Sequence, residues 1–147
     1  MRLEDSILIH CSSHDLYDLI KDVERHVELL PGYTKSQIVE RKNDSCIVQR
    51  EAIMAGQIRR WKSEVWMDEG KGMRFRQVEG PLAGMNVQWI LEPQDEDTRM
   101  SIIHDVRVKP RWKGWWIERW IAKPAIKRTA RHVLDAIKVE AEKLSVS

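Results

Sequence analysis

The hydrophobic positions change period twice along the chain. In LEDSILIH, Ile7 and Ile9 fall on one side and Leu8 on the other, the two-residue alternation of a strand. In CSSHDLYDLIKDVERHVELLPG the period lengthens: Leu16, Leu19, Ile20 and Val23 recur at helical spacing. Ser12 or Ser13 stands where a helix needs an N-cap, and Asp15 suits the positive first turn. ERHVELLPGY predicts a second short helix, stopped by Pro31 and Gly32. From Tyr33 the period is two again, with strands predicted near 34–41, 45–55, 58–68, 72–79, 84–92 and 98–108. Turn residues separate them: Lys42-Asn43-Asp44, Gly56-Gln57, Glu69 to Gly72, Gly80-Pro81 and Pro93 to Asp97. Connections this short join antiparallel neighbours.

The last segment is helical. Ile126, Ala130, Val133, Leu134, Ile137, Ala141 and Leu144 form one buried stripe. A helix starting near Lys113 would run for about 30 residues, with a bend or a fresh start at 120–124, because Pro124 lacks an N–H and crowds the preceding turn. The predicted order is strand, two short helices, six strands and a long helix: an α+β domain over residues 1–147. One face of the antiparallel sheet must be covered, and the C-terminal helix is the only element large enough to do it. A curved sheet gripping a helix leaves space between them for a ligand.

Alternation assigns the faces of that sheet. Trp61, Ser63, Val65 and Met67 share a side, opposed by Arg60, Lys62 and Glu64, which puts Trp66 outside. Met73, Phe75, Gln77 and Glu79 oppose Arg74 and Arg76; Met85, Val87, Trp89 and Leu91 oppose Asn86 and Gln88; Met100, Ile102, His104, Val106 and Val108 oppose Arg99, Asp105 and Arg107. The first set in each case is expected to face the helix. His104 is then a polar residue in mid-strand on an apolar face. It either serves a ligand, by hydrogen bonding or by moving protons, or it is a core histidine bonded to Gln77 or Ser63. In CIVQREAIMA either face fits inward, since Cys46, Val48, Ala52 and Met54 compete with Ile47 and Ile53. Gln49 and Glu51 stay open for that reason. A buried Glu51 would need a partner, for which Arg59 or Trp61 is at hand.

RWKGWWIERWIAKP, residues 111–124, holds four of the seven tryptophans. If 112–121 is helical, its apolar arc spans about 240°, whereas packing on one sheet needs an arc of about 100° or somewhat more. The surplus must meet another part of the fold, another molecule or a membrane interface, where Trp rings sit among headgroups and cations find phosphates. Charge sharpens the point. Val106 to His132 carries nine Lys or Arg against Glu118 alone, or +8, which leaves −6 for the rest of a chain whose net charge is +2. Arg111, Lys113, Arg119, Lys123, Lys127, Arg128 and Arg131 supply the basic surface expected to meet anionic lipid, a ribosome or an acidic protein face, unless it is simply solvated. DNA is not an expected partner.

The composition is that of a soluble globular domain. MRLEDSILIH is too short and too acidic for a secretory signal, and Cys11 and Cys46 form no ligand pattern, so a reducing cytoplasm is expected, with peripheral membrane contact as an open addition. No cofactor or metal is expected. His10 and His14 straddle a strand end and a helix start and share no helix face. No phosphate loop, nucleophile motif or paired-carboxylate signature is present.

Three stretches resemble the START-like (SRPBCC) superfamily, in its polyketide cyclase/dehydrase and coenzyme Q-binding branch. LYDLIKDVERHVELLPGY looks like its helix pair and Leu-Pro turn. RRWKSEVWMDEGKGMRFRQVEGPLAGMNVQWILEP looks like its run of strands, with Trp61, Phe75, Gly80-Pro81 and Trp89 in place, and TRMSIIHDVRV looks like its last strand. His14 departs from the proline common at the helix start. The resemblance implies a helix-grip fold, a curved sheet of about seven strands wrapped around the C-terminal helix, and leaves activity open. It implies binding or transport of a hydrophobic small molecule (a lipid, an isoprenoid quinone or a polyketide-like compound). The alternatives are an aromatase/cyclase-like enzyme in which His104 moves protons, and a ribosome- or protein-binding factor. The expected cavity wall is Trp61, Ser63, Val65, Phe75, Gln77, Trp89, Ile102, His104, Val133 and Ile137. The expected mouth or membrane contact is Leu30, Pro31, Trp112, Trp115, Trp116 and Trp120.

Overall fold

The computed structural model describes residues 1–107 and 123–144. Strand β1 (Arg2–Ile9) leads into helix α1 (Ser13–Ile20), a 3-10 turn (Val23–Arg25) and the single-turn helix α2 (His26–Leu29). Six strands follow: β2 (Tyr33–Arg41), β3 (Cys46–Met54), β4 (Gln57–Asp68), β5 (Gly72–Glu79), β6 (Asn86–Gln94) and β7 (Asp97–Asp105). Helix α3 (Lys123–Leu144) completes the described chain. The strand order is β1-β7-β6-β5-β4-β3-β2, one antiparallel sheet in which each strand from β2 onward pairs with the next and β1 closes against β7. The architecture is the expected helix-grip fold, and each predicted strand lies within about three residues of an observed one.

Local chemistry accounts for the elements. The Ser12 side chain accepts from the Asp15 N–H and starts α1. The helical connection is clipped to the β2 edge where Ser36 donates to the Val23 carbonyl at 2.6 Å and Glu24 accepts from the Ile38 N–H at 3.1 Å. Gly72, at φ +139°, opens β5 where a Cβ would collide with the Trp89 carbonyl, so β5 and β6 can approach only at a residue without one.

The stripe of α3 packs as predicted. Ile126, Ala130, Val133, Leu134, Ile137 and Ala141 are buried and all but Ile126 belong to the central core, whereas Leu144, placed in the stripe by its spacing, is exposed at the end of the helix. Helix and sheet are also pinned by polar contacts at β1. Arg131 pairs with Asp5, Lys138 donates to the Leu8 carbonyl at 2.7 Å, and Glu142 accepts from the His10 N–H at 2.9 Å. Arg131, expected on the open basic surface, is thus spent on Asp5 and Asp135. The expected start of this helix near Lys113 lies outside the described residues.

One assignment of face is corrected. Glu79 was expected to face the helix with Gln77, yet it is exposed and pairs with Lys62 at 3.4 Å. The cause is a bulge: Ser63 pairs with Gln77 but Lys62 pairs with Glu79, so one residue is skipped and the parity flips. Met67, cross-strand partner of the fully buried Met73, keeps the expected face but is 39% exposed at the end of β4.

Candidate functional site

The inner face of the sheet is apolar except for a few residues. Ser63 and Gln77 are cross-strand partners at its centre, both buried. His104 lies toward the β1 side, paired with Val87 and Leu3, also buried. Val65, Phe75, Trp89 and Ile102 fill the ground between them, Trp61 is half-buried, and Val133 and Ile137 face them from α3. The structure therefore gathers on one inner surface the residues expected to form the wall. Leu30 is buried in the core beside them and Pro31 is exposed. Trp112, Trp115, Trp116 and Trp120, with Arg111, Lys113 and Arg119, lie outside the described residues. Lys127 and Arg128 are exposed on α3, with Lys123 half-exposed at its start.

The expected partners of His104 are corrected. Neither Gln77 nor Ser63 bonds its ring, because β6 lies between β5 and β7 and presents Val87 there. Its Nδ1 and the Gln77 Oε1 are buried with no hydrogen-bond partner. Burial alone pushes His104 down to about 4, so the imidazole is neutral at pH 7. A crevice of about 10 Å³ opens beside it between β1, β7 and α3, room for about one water.

The most consequential inner residue was missed by the sequence reading. Val48, Arg50 and Ala52 all face inward on β3, and Arg50 is 2% exposed. Its guanidinium carbon lies 4.9 Å from the centre of the Tyr33 ring and 5.5 Å from that of Phe75. Its Nη2 is 3.2 Å from Nδ1 of His26, a residue with no exposed surface. The other ring nitrogen of His26, Nε2, is 2.7 Å from the Ile20 carbonyl. A carbonyl only accepts, so Nε2 carries the proton and Nδ1 accepts from Arg50. Burial first, and the Arg50 charge second, push His26 down to about 3 and keep it neutral. The ring stacks on Trp89 at 5.4 Å, and Trp89 meets Phe75 at 5.0 Å. The clue was parity: once Val48 and Ala52 go inward, position 50 goes with them.

Glu51, left open by the sequence, points outward. It accepts from Thr34 at 2.8 Å and pairs with Arg60 at 2.6 Å, not with Arg59 or Trp61, and these bonds hold its carboxyl below its ordinary value. Gln49 is half-buried and donates to the Trp61 carbonyl. Gly80 (φ +129°) sits where a Cβ would press on Gln77 and Trp61, which fixes the end of the polar row. His10 and His14 reach Asp97 and Asp18 respectively, and no metal-ligating cluster occurs among the described residues. No described helix is long and apolar enough to cross a membrane. On the outer face, an open pocket of about 360 Å³ is bordered by Arg2, Trp66, Arg76 and Gln88; Arg74, also on its rim, stacks over Trp66 and pairs with Asp68.

Comparison with known proteins agrees with this architecture. Residues 9–138 match the family described as polyketide cyclase/dehydrase and lipid transport. A putative polyketide cyclase of Streptomyces cyaneus is 30% identical over 111 residues, 73% of each chain. The ribosome association toxin RatA of Vibrio cholerae is 25% identical over 91 residues, 62% of this chain and 63% of that protein, so the chain spans less than two thirds of that relative. Among solved structures, the ZhuI aromatase/cyclase of Streptomyces sp. R1128 superposes with a TM-score of 0.85 at 21% identity, covering 97% of this chain and 94% of that one. A START superfamily protein of Mycobacterium smegmatis gives 0.80 at 17% identity, covering 97% and 98%. With its helix-grip fold and this match over nearly its whole length, the chain belongs to the polyketide cyclase/dehydrase and lipid transport family of the START-like superfamily.

Proposed function

We propose that the protein binds a hydrophobic small molecule between the inner face of its sheet and α3. The observation that carries this reading is the position of its orphaned polar atoms. Among the described residues, the buried side-chain atoms without a hydrogen-bond partner are Nε and Nη1 of Arg50, Oε1 of Gln77 and Nδ1 of His104, all on the inner face. Each such group costs about 1–3 kcal/mol when left unbonded, and more when charged. A core selected for stability alone has no use for three of them on an apolar wall. They suit a ligand with an apolar body and several oxygens, the body buried at about 25 cal/mol per Å² before ordering costs. Native mass spectrometry of freshly purified protein tests this: the expected result is a co-purified or added apolar compound bound one to one. Protein that remains at its bare mass with every apolar compound offered would overturn the reading.

A second reading, catalysis of polyketide cyclisation or dehydration, is favoured by the 30% identity to the putative Streptomyces cyclase. His104 is then the proton carrier, since its imidazole is neutral and its Nδ1 is unengaged.

A further inference from the structure

We infer that the ligand held in this site is an amphipathic acid, and that its anionic oxygens are received by Arg50. The inference rests on the binding reading above and narrows it. A guanidinium stays protonated at any physiological pH, so the chain buries a full positive charge on its inner wall. No described residue near it answers that charge. Its hydrogen-bond partner is the neutral ring of His26, and the Tyr33 and Phe75 faces offer only the weaker attraction of an aromatic quadrupole. Among the described residues no carboxylate pairs with it. The adjacent carboxylate, Glu51, is turned to the opposite face by strand parity and is occupied there by Thr34 and Arg60. The contrast with the surface is direct: Arg60, Arg74 and Arg131 are all better exposed than Arg50, and each has its acid.

Nε and Nη1 leave three N–H donors unbonded, one on the first and two on the second. A carboxylate, or an ionised phenol or enol, supplies both the missing acceptors and the missing charge, whereas a neutral ester or hydrocarbon supplies neither. His26 holds Nη2 in place, which leaves the rest of the fork for the ligand. The rings of Tyr33 and Phe75 beside it, with Trp89 packed on Phe75, favour a planar or conjugated body behind the acidic group. Neither nitrogen is open to solvent, so the ligand displaces ring contacts as it enters.

Two fluorescent pairs test the inference at pH 7.5: cis-parinaric acid against its methyl ester, and 9-anthroic acid against its methyl ester. In the native protein at least one acid should bind at least about tenfold more tightly than its ester, the scale of a charge-assisted hydrogen bond in a dry site. Arg50→Met, which keeps length and apolar bulk, should bring acid and ester to equal affinity while the ester still binds. Equal affinity for acid and ester in the native protein overturns the acid inference and leaves the binding reading standing. Failure of all four probes overturns both. A preference for acid that survives in folded Arg50→Met protein places the anion elsewhere and overturns the role of Arg50; the comparison in native protein requires no variant to fold.

Discussion

Arg50, His26 and His104 show how burial rather than residue type sets the chemistry of single side chains here. His26 is neutral because it is enclosed and lies beside a cation, and its tautomer follows from the Ile20 carbonyl. That neutrality leaves the Arg50 charge unanswered among the described residues. His104 is neutral through enclosure alone. On the cyclase reading, His104→Ala should lower turnover of an aromatic polyketide precursor by roughly 10²–10⁴, the range for loss of a general acid or base. Turnover that survives unchanged in the folded variant removes His104 from the mechanism. At this scale the sequence showed His104 plainly, as a polar interruption of an apolar alternation. Arg50 was hidden because β3 offers two plausible apolar faces, and only pairing with β2 and β4 decides between them.

At the scale of elements, turns and close approaches decide what the periodicity leaves open. The β5–β6 pair depends on Gly72, which combines φ +139° with backbone contact to Trp89. Gly72→Ala should destabilise the fold by about 2–4 kcal/mol, since strain and a backbone clash act together. Gly70→Ala serves as the comparison: φ there is +75° but nothing lies within 4 Å, so the cost should be nearer 1 kcal/mol. Urea midpoints of the two variants check the difference, and equal losses would refute the packing part of the argument. The bulge at Lys62–Ser63 is the other such feature. It turns Glu79 outward to Lys62 while Gln77 keeps its place on the inner wall. A strict two-residue count runs straight through it and misassigns Glu79.

For the whole molecule, the buried histidines make global stability depend on pH. Both have folded values below the ordinary 6.5, at about 3 for His26 and about 4 for His104. The unfolded chain therefore binds more protons than the folded one as pH falls through 6.5, and stability drops with it. Carboxylates held below their ordinary value, such as Glu51 and Glu142, add to the loss only below about pH 4.5. Between pH 6.5 and 4.5 the loss should be roughly 2–3 kcal/mol per histidine. The urea midpoint measured across that window checks this; a flat profile would mean that these rings are not enclosed in solution. The charge asymmetry read from the sequence is also modified at this scale, because Arg131 is drawn into the contact between α3 and β1.

The sequence by itself determined the order of elements, the seven strands, the stripe of the last helix and most of the inner face. These follow from periodicity, which depends on near neighbours and survives without knowledge of what packs against what. The resemblance supplied the name of the fold from the same local patterns. Only the tertiary structure decided that Arg50 faces inward with no carboxylate among the described residues, that His26 meets it, and that His104 finds no bond to Gln77. The physical reason is common to all three. Whether a buried polar group is satisfied depends on residues brought close from elsewhere in the chain: 24 positions separate Arg50 from His26, and a whole strand stands between Gln77 and His104. Burial and partnership arise when the sheet curves onto α3, and they are properties of that closure.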